Sequence, residues 1–140
     1  MSTPAPNHFD SVLVALPPGV AGRPLTDAAS KLLAGQGTLH LLTVVRVGEE
    51  EAGGTAIARA EQALEQVTEY VRGDGVTVRW GVAATMGAPG AEIVSAAEQL
   101  GVAAIVIGGS NRTRVGKFLM GSDAQTVLLT SPVPVLSVPR

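Results

Sequence analysis

Residues 102–107, VAAIVI, form a run with no polar position. A strand built from it has no face to offer water and must be covered on both sides, as the central strands of parallel sheets are. The rest of the chain fits that demand. Residues 9–16 (FDSVLVAL) read as a first strand stopped by Pro17-Pro18-Gly19, residues 39–47 (LHLLTVVRV) as a second and 76–83 (VTVRWGVA) as a third. Residues 133–138 (VPVLSV) close the series, and Pro134, which has no ladder N–H, puts that strand on an edge.

Helical spacing fills the intervals. Leu25, Ala28, Ala29, Leu32 and Leu33 share one helix face, with Pro24 suited to the first turn and Gly35 and Gly37 able to end it. Ala56, Ala60, Ala63, Leu64, Val67 and Val71 keep the same period as far as Arg72-Gly73. Residues 91–100 predict a short helix with Ile93, Ala96, Ala97 and Leu100 inward and Gly101 as its cap. A last helix runs through Ala124, Val127 and Leu128. Strand and helix alternate throughout, without repeats or a linker, so the expected fold is a doubly wound parallel α/β sheet with right-handed crossovers.

Composition narrows the function. A chain of 140 residues with 46% apolar and 16% charged residues is one domain with a sizeable core. Residues 1–8 read as a flexible polar arm and residues 9–140 as the domain. With no cysteine there is no disulfide, thiolate metal site or Cys nucleophile, and the two histidines, His8 and His40, cannot make a His-rich metal centre. A net charge of −2 gives no general attraction to nucleic acid or anionic membrane. Phe9, Phe118, Tyr70 and Trp80 are too few for a base-stacking platform. Residues 1–8 lack the charged and apolar regions expected of a secretory signal, and no apolar run approaches the roughly 20 residues that span a bilayer. The expected place of action is the cytoplasm.

Open parallel sheets bind ligands beyond the carboxyl ends of their strands, where strand order reverses. The segment after the first strand, PPGVAG, carries no charged or nucleophilic group. The one after the fourth, GGSNRTRVGKFLMGSD, is richer and is expected to be a Gly-rich loop. Gly108 and Gly109 would let backbone N–H groups approach a ligand, Gly121-Ser122 opens a helix with its positive dipole end, and Arg112, Arg114 and Lys117 hold three of the ten cations. Each feature also has a plainer reading: a turn, a helix cap, a solvated basic surface. It is their coincidence that favours a phosphate cradle. A Walker loop is excluded because Phe118 follows Gly116-Lys117 and position 111 is Asn, and no G-x-G-x-x-G follows the first strand.

Gly108, Asn111 and Gly121-Ser122 keep the spacing of G-x2-G-x9-G-[ST], and here the chain resembles the universal stress protein family. TLHLLTVV, GAPGAEIVSAAEQLGVAAIVIG and GSDAQTVLLTSPVPVLSVP extend the resemblance over nearly the whole chain. The resemblance implies a five-stranded parallel sheet of order 3-2-1-4-5 in a Rossmann-like, adenine nucleotide alpha hydrolase-like domain. It also implies a stress-response role, and a homodimer joined through the last strand at Val133, Val135, Leu136 and Val138. For nucleotide-binding members it implies ATP or another adenine nucleotide, with or without Mg. The site would comprise Leu16, Pro17, Val44, Ile107, Gly108, Asn111, Arg112, Gly121, Ser122 and Asp123, with Val44 beside adenine and the glycines and Ser122 at ribose and phosphate.

Three residues depart from that pattern. Pro17 stands where nucleotide-binding members commonly carry an Asp, and it has neither carboxylate nor backbone donor. Asn111 replaces the middle Gly, and Asp123 follows Gly121-Ser122, where its carboxylate would serve the helix terminus and repel a triphosphate. Two readings therefore stand side by side. One is a nucleotide-binding regulator; the other is a dimeric interaction module that holds no cofactor and acts on an unidentified protein partner. Catalysis is not expected. His40 lies within a strand, Asp27 in a first helical turn and Glu49–Glu51 in a charged run, and no nucleophile stands with a base.

Overall fold

The computed structural model describes residues 9–18, 22–48, 54–71, 73, 75–112 and 118–139. The expected arm at residues 1–8, the acidic run Glu49–Glu51 and the cations Arg114 and Lys117 lie outside the described residues.

Among the described residues ten elements follow one another, strand alternating with helix except where the fourth strand is followed by the fifth. They are β1 (Ser11–Ala15), α1 (Arg23–Leu33), β2 (Gly37–Arg46), α2 (Gly54–Val71), β3 (Val76–Thr85), α3 (Pro89–Leu100), β4 (Ala104–Arg112), β5 (Phe118–Met120), α4 (Ser122–Thr130) and β6 (Val135–Pro139). Five of the strands pair in parallel in the order β3-β2-β1-β4-β6, the 3-2-1-4-5 order expected of the five strands read from the sequence. β1 is central: Leu13 faces His40 on β2 and Ile105 on β4.

Alternation along the strands sorts the core into two layers. Val12 and Val14 pack with Leu25, Ala29 and Leu33 of α1 and Leu64 of α2. Leu13, Ala15, Ile105 and Ile107 pack with Ile93, Val94 and Ala97 of α3 and with Ala124 and Val127 of α4. Val12, Leu13, Val14, Ile105 and Val106 are fully buried, so the apolar run does meet cover on both faces. Each such side chain contributes about 1.5–3 kcal/mol of transfer free energy. Among the described residues, no helix is long and apolar enough to cross a membrane.

Two expectations are corrected. The Gly-rich loop after Ile107 is not a loop at its start. β4 continues through Gly108 and Gly109 to Arg112, and Ser110, Asn111 and Arg112 pair antiparallel with Met120, Leu119 and Phe118 of β5. Neither glycine adopts a positive φ; the register shift between Gly108 and Ser110 lets β4 pass β6, where Ser137 Oγ would lie 2.5 Å from a Cβ on Gly109. Gly109 therefore lies in extended strand close against β6 and forms no turn. The other correction concerns the end of α1. Ala34, ahead of the expected Gly35, takes the left-handed cap at φ 54°, and its amide donates to the carbonyls of Ser30 and Lys31.

A cleft at the carboxyl ends of β1, β2 and β4

The chain turns back between β3 and β4, so strand order reverses between β1 and β4, and a crevice must open at their carboxyl ends. β1 stops there for a local reason. The Leu16 amide still donates to the Leu42 carbonyl at 2.8 Å, but Pro17 and Pro18 have no N–H with which to continue. β2 runs further and ends at the exposed Arg46. On the opposite side α3 starts with Pro89 in its first turn, and α4 starts at Ser122.

These ends enclose a cleft of about 450 Å3, within the ~300–1,000 Å3 usual for small-molecule sites. Ala15, Leu42, Val44 and Ile107 supply apolar surface from the strands. Pro89 and Ile93 border it from α3, and Ser122, Asp123, Ala124 and Val127 border it from α4. Leu16, Pro17, Pro18, Arg46 and Gly108 complete the lining. Among the described residues, Arg46 and Asp123 are the charged side chains on it.

The α4 end of the cleft suits an anion. Among the described residues no side chain caps that helix, which leaves its first amides and its positive dipole end open to a ligand. Its N-cap, Gly121, has φ −63° and ψ 156°, backbone open to any residue, and among the described residues a Cβ there would meet nothing within 4 Å.

Asp123 has a structural partner. Its Oδ1 accepts from the Gly90 amide at 3.1 Å, which ties α4 to the first turn of α3, whose own N-cap, Ala88, has no side chain able to cap it. The two helices meet closely there: a Cβ on Gly90 would lie 2.9 Å from the Asp123 carbonyl oxygen and from Thr126 Cβ.

The structure brings Leu16, Pro17, Val44, Ile107, Gly108, Ser122 and Asp123 around one cavity, with Gly121 adjoining it as N-cap. The Leu16 side chain, 5% exposed, belongs to the α1 core layer. Asn111 and Arg112 lie on the β4 extension, paired with Leu119 and Phe118 of β5, and their side chains fall outside the described ones. Sequence reasoning missed Arg46, Pro89 and Ile93. Arg46 was findable, because a cation at the carboxyl end of a strand beside the switch point falls on the rim of any such crevice. Among the described residues no group of three His, Cys, Asp or Glu could hold a metal ion. His40 lies elsewhere, facing Arg79 on β3; burial chiefly, and the Arg79 guanidinium secondarily, push its imidazole below the usual range.

Residues 8–139 match the model of the universal stress protein family. None of the curated proteins matches the sequence. Among solved structures, the universal stress protein UspA from Lactobacillus plantarum superposes with a TM-score of 0.75 at 19% identity, over 93% of this chain and 97% of that one. The universal stress protein from Archaeoglobus fulgidus in complex with dAMP gives 0.68 at 19%, over 93% and 98%. A universal stress protein family protein from Arabidopsis thaliana with AMP bound gives 0.67 at 15%, over 93% and 91%. At these identities the likeness is one of fold.

Proposed function

The chain belongs to the universal stress protein family, and on that premise we propose that it is an adenine-nucleotide-binding regulatory protein of the stress response. The observation that carries this reading is the cleft. Val44, Leu42 and Ile107 offer a flat ring an apolar slot, and the uncapped start of α4 with Gly121-Ser122 offers its phosphate backbone amides and a favourable dipole. Gly121 supports it further, since its bare backbone leaves room for a phosphate to approach the first amides of α4. The complexes of relatives with dAMP and AMP are consistent with this ligand class.

In this reading the bound nucleotide sets conformation or partner choice. The protein works in the cytoplasm as a homodimer through β6, which among the described elements pairs only with β4 and exposes Leu136 to 40%. In this reading the cleft binds and does not catalyse: Asp123, the carboxylate next to Ser122 on the lining, is engaged by the Gly90 amide.

A second reading rests on Pro17, which lines the cleft without a carboxylate or donor for a ribose. It makes the chain an interaction module that holds no nucleotide. Denaturing freshly purified protein and chromatographing what is released, then titrating the emptied protein with AMP and ATP with and without Mg, separates the two. Stoichiometric adenine nucleotide, or micromolar binding, supports the first. An empty protein with no heat of binding supports the second.

A further inference from the structure

Asp123 places a negative charge where a phosphate-binding cleft would be expected to have none. The carboxylate is fixed from two sides. Its backbone belongs to the first turn of α4, and its Oδ1 is held by the Gly90 amide at the start of α3. The helices meet closely there: a Cβ on Gly90 would lie 2.9 Å from the Asp123 carbonyl oxygen and from Thr126 Cβ. One of the first-turn amides of α3 is thus already occupied by an anion that the protein supplies itself. Asp123 is half-buried, so its field reaches into the cleft with less screening than a surface charge. Among the described lining residues, Arg46 is the lone cation to set against it.

We propose that Asp123 is a specificity-determining residue. Its carboxylate stands on the cleft lining in the first turn of α4, beside the amides that would hold phosphate, and so the cleft selects adenosine monophosphate over the triphosphate. The inference rests on the reading of the cleft as an adenine-nucleotide site. Its physical basis is that a fixed negative charge penalises each added phosphoryl group, while the apolar slot and the α4 amides serve both ligands alike.

The test is calorimetric titration of the emptied full chain with adenosine, AMP and ATP in Mg-free buffer, for wild type and Asp123→Asn. The Asn side chain keeps the oxygen that accepts from Gly90 and removes the charge. AMP is expected to bind wild type roughly tenfold more tightly than ATP, and the substitution should remove most of that preference. Wild type also supplies a check that needs no variant. Raising salt from about 0.01 M to about 1 M shortens the screening length from about 30 Å to about 3 Å and should erase the preference. ATP binding as tightly as AMP to wild type, or a ratio unmoved by both the substitution and salt, overturns the inference and leaves the site reading standing. Wild type that binds none of the three ligands overturns the site reading, and this inference with it.

Discussion

The Gly90 amide donates to Asp123 Oδ1 at 3.1 Å across 33 residues of sequence, and this bond joins the starts of α3 and α4 at the wall of the cleft. It replaces the cap that Ala88 cannot provide. Asp123→Ala should therefore destabilise the protein by about 0.5–2 kcal/mol, the usual cost of losing an N-terminal cap. Gly90→Ala should cost about 1–3 kcal/mol, because its Cβ would meet a backbone oxygen and the Thr126 Cβ, neither the flexible end of a side chain. Urea denaturation of the two variants checks both. A Gly90→Ala protein as stable as wild type would mean the helices are not packed as described.

Gly121→Glu should leave stability within about 0.5 kcal/mol, since the backbone there is ordinary and the space is open. It should abolish nucleotide binding by placing a carboxylate at the start of α4. Thermal melts and calorimetry on the same preparation read the two effects separately. Retained binding would remove the α4 terminus from the site.

Much of this arrangement was readable in advance, and the reasons differ by element. VAAIVI has a single solution, a strand covered on both faces, and Ile105 and Val106 are fully buried accordingly. The continuation of β4 was not readable, because Gly108-Gly109 looks locally like a breaker and its extended form depends on β5 and β6, which lie far along the chain. Gly108 and Ser122 were traceable to one cavity through the strand-end rule, and Val44 and Ile107 through the family resemblance. The Gly90–Asp123 bond was not, since nothing in either neighbourhood announces the other. The α1 terminus is a third case: Gly35 takes a positive φ of 86°, and Ala34 ahead of it takes one too, at 54°, which its residue type does not announce.

That position yields a stabilising change. A left-handed alanine costs about 1–2 kcal/mol, more than the added chain entropy of a glycine. Ala34→Gly should raise unfolding free energy by about 0.5–1 kcal/mol in urea titration. A loss of stability would contradict the assigned cap.

His40 makes stability depend on pH. Its folded-state pKa lies below the unfolded value of about 6.5, through burial first and Arg79 second. The unfolded chain then binds the proton more readily, so this contribution is fully present above the unfolded pKa and is lost as pH falls from there through the folded pKa. Denaturation midpoints should decline below about pH 6.5, and His40→Gln should flatten that part of the profile. An unchanged profile in the variant would assign the decline to other groups.

Leu136 is exposed on the edge strand β6. If β6 joins two copies, Leu136→Asp should give a monomer by sedimentation velocity without lowering the melting temperature of the separated chains. A dimer that persists would move the interface elsewhere.

The measurement that bears most directly on the central claim is an amide NMR titration of the emptied, isotope-labelled protein with AMP. The account predicts saturable shifts at Val44, Gly108, Gly121 and Ser122, with His40 and Trp80 unmoved. Shifts clustered away from the ends of β1, β2, β4 and α4, or none at millimolar ligand, would contradict it.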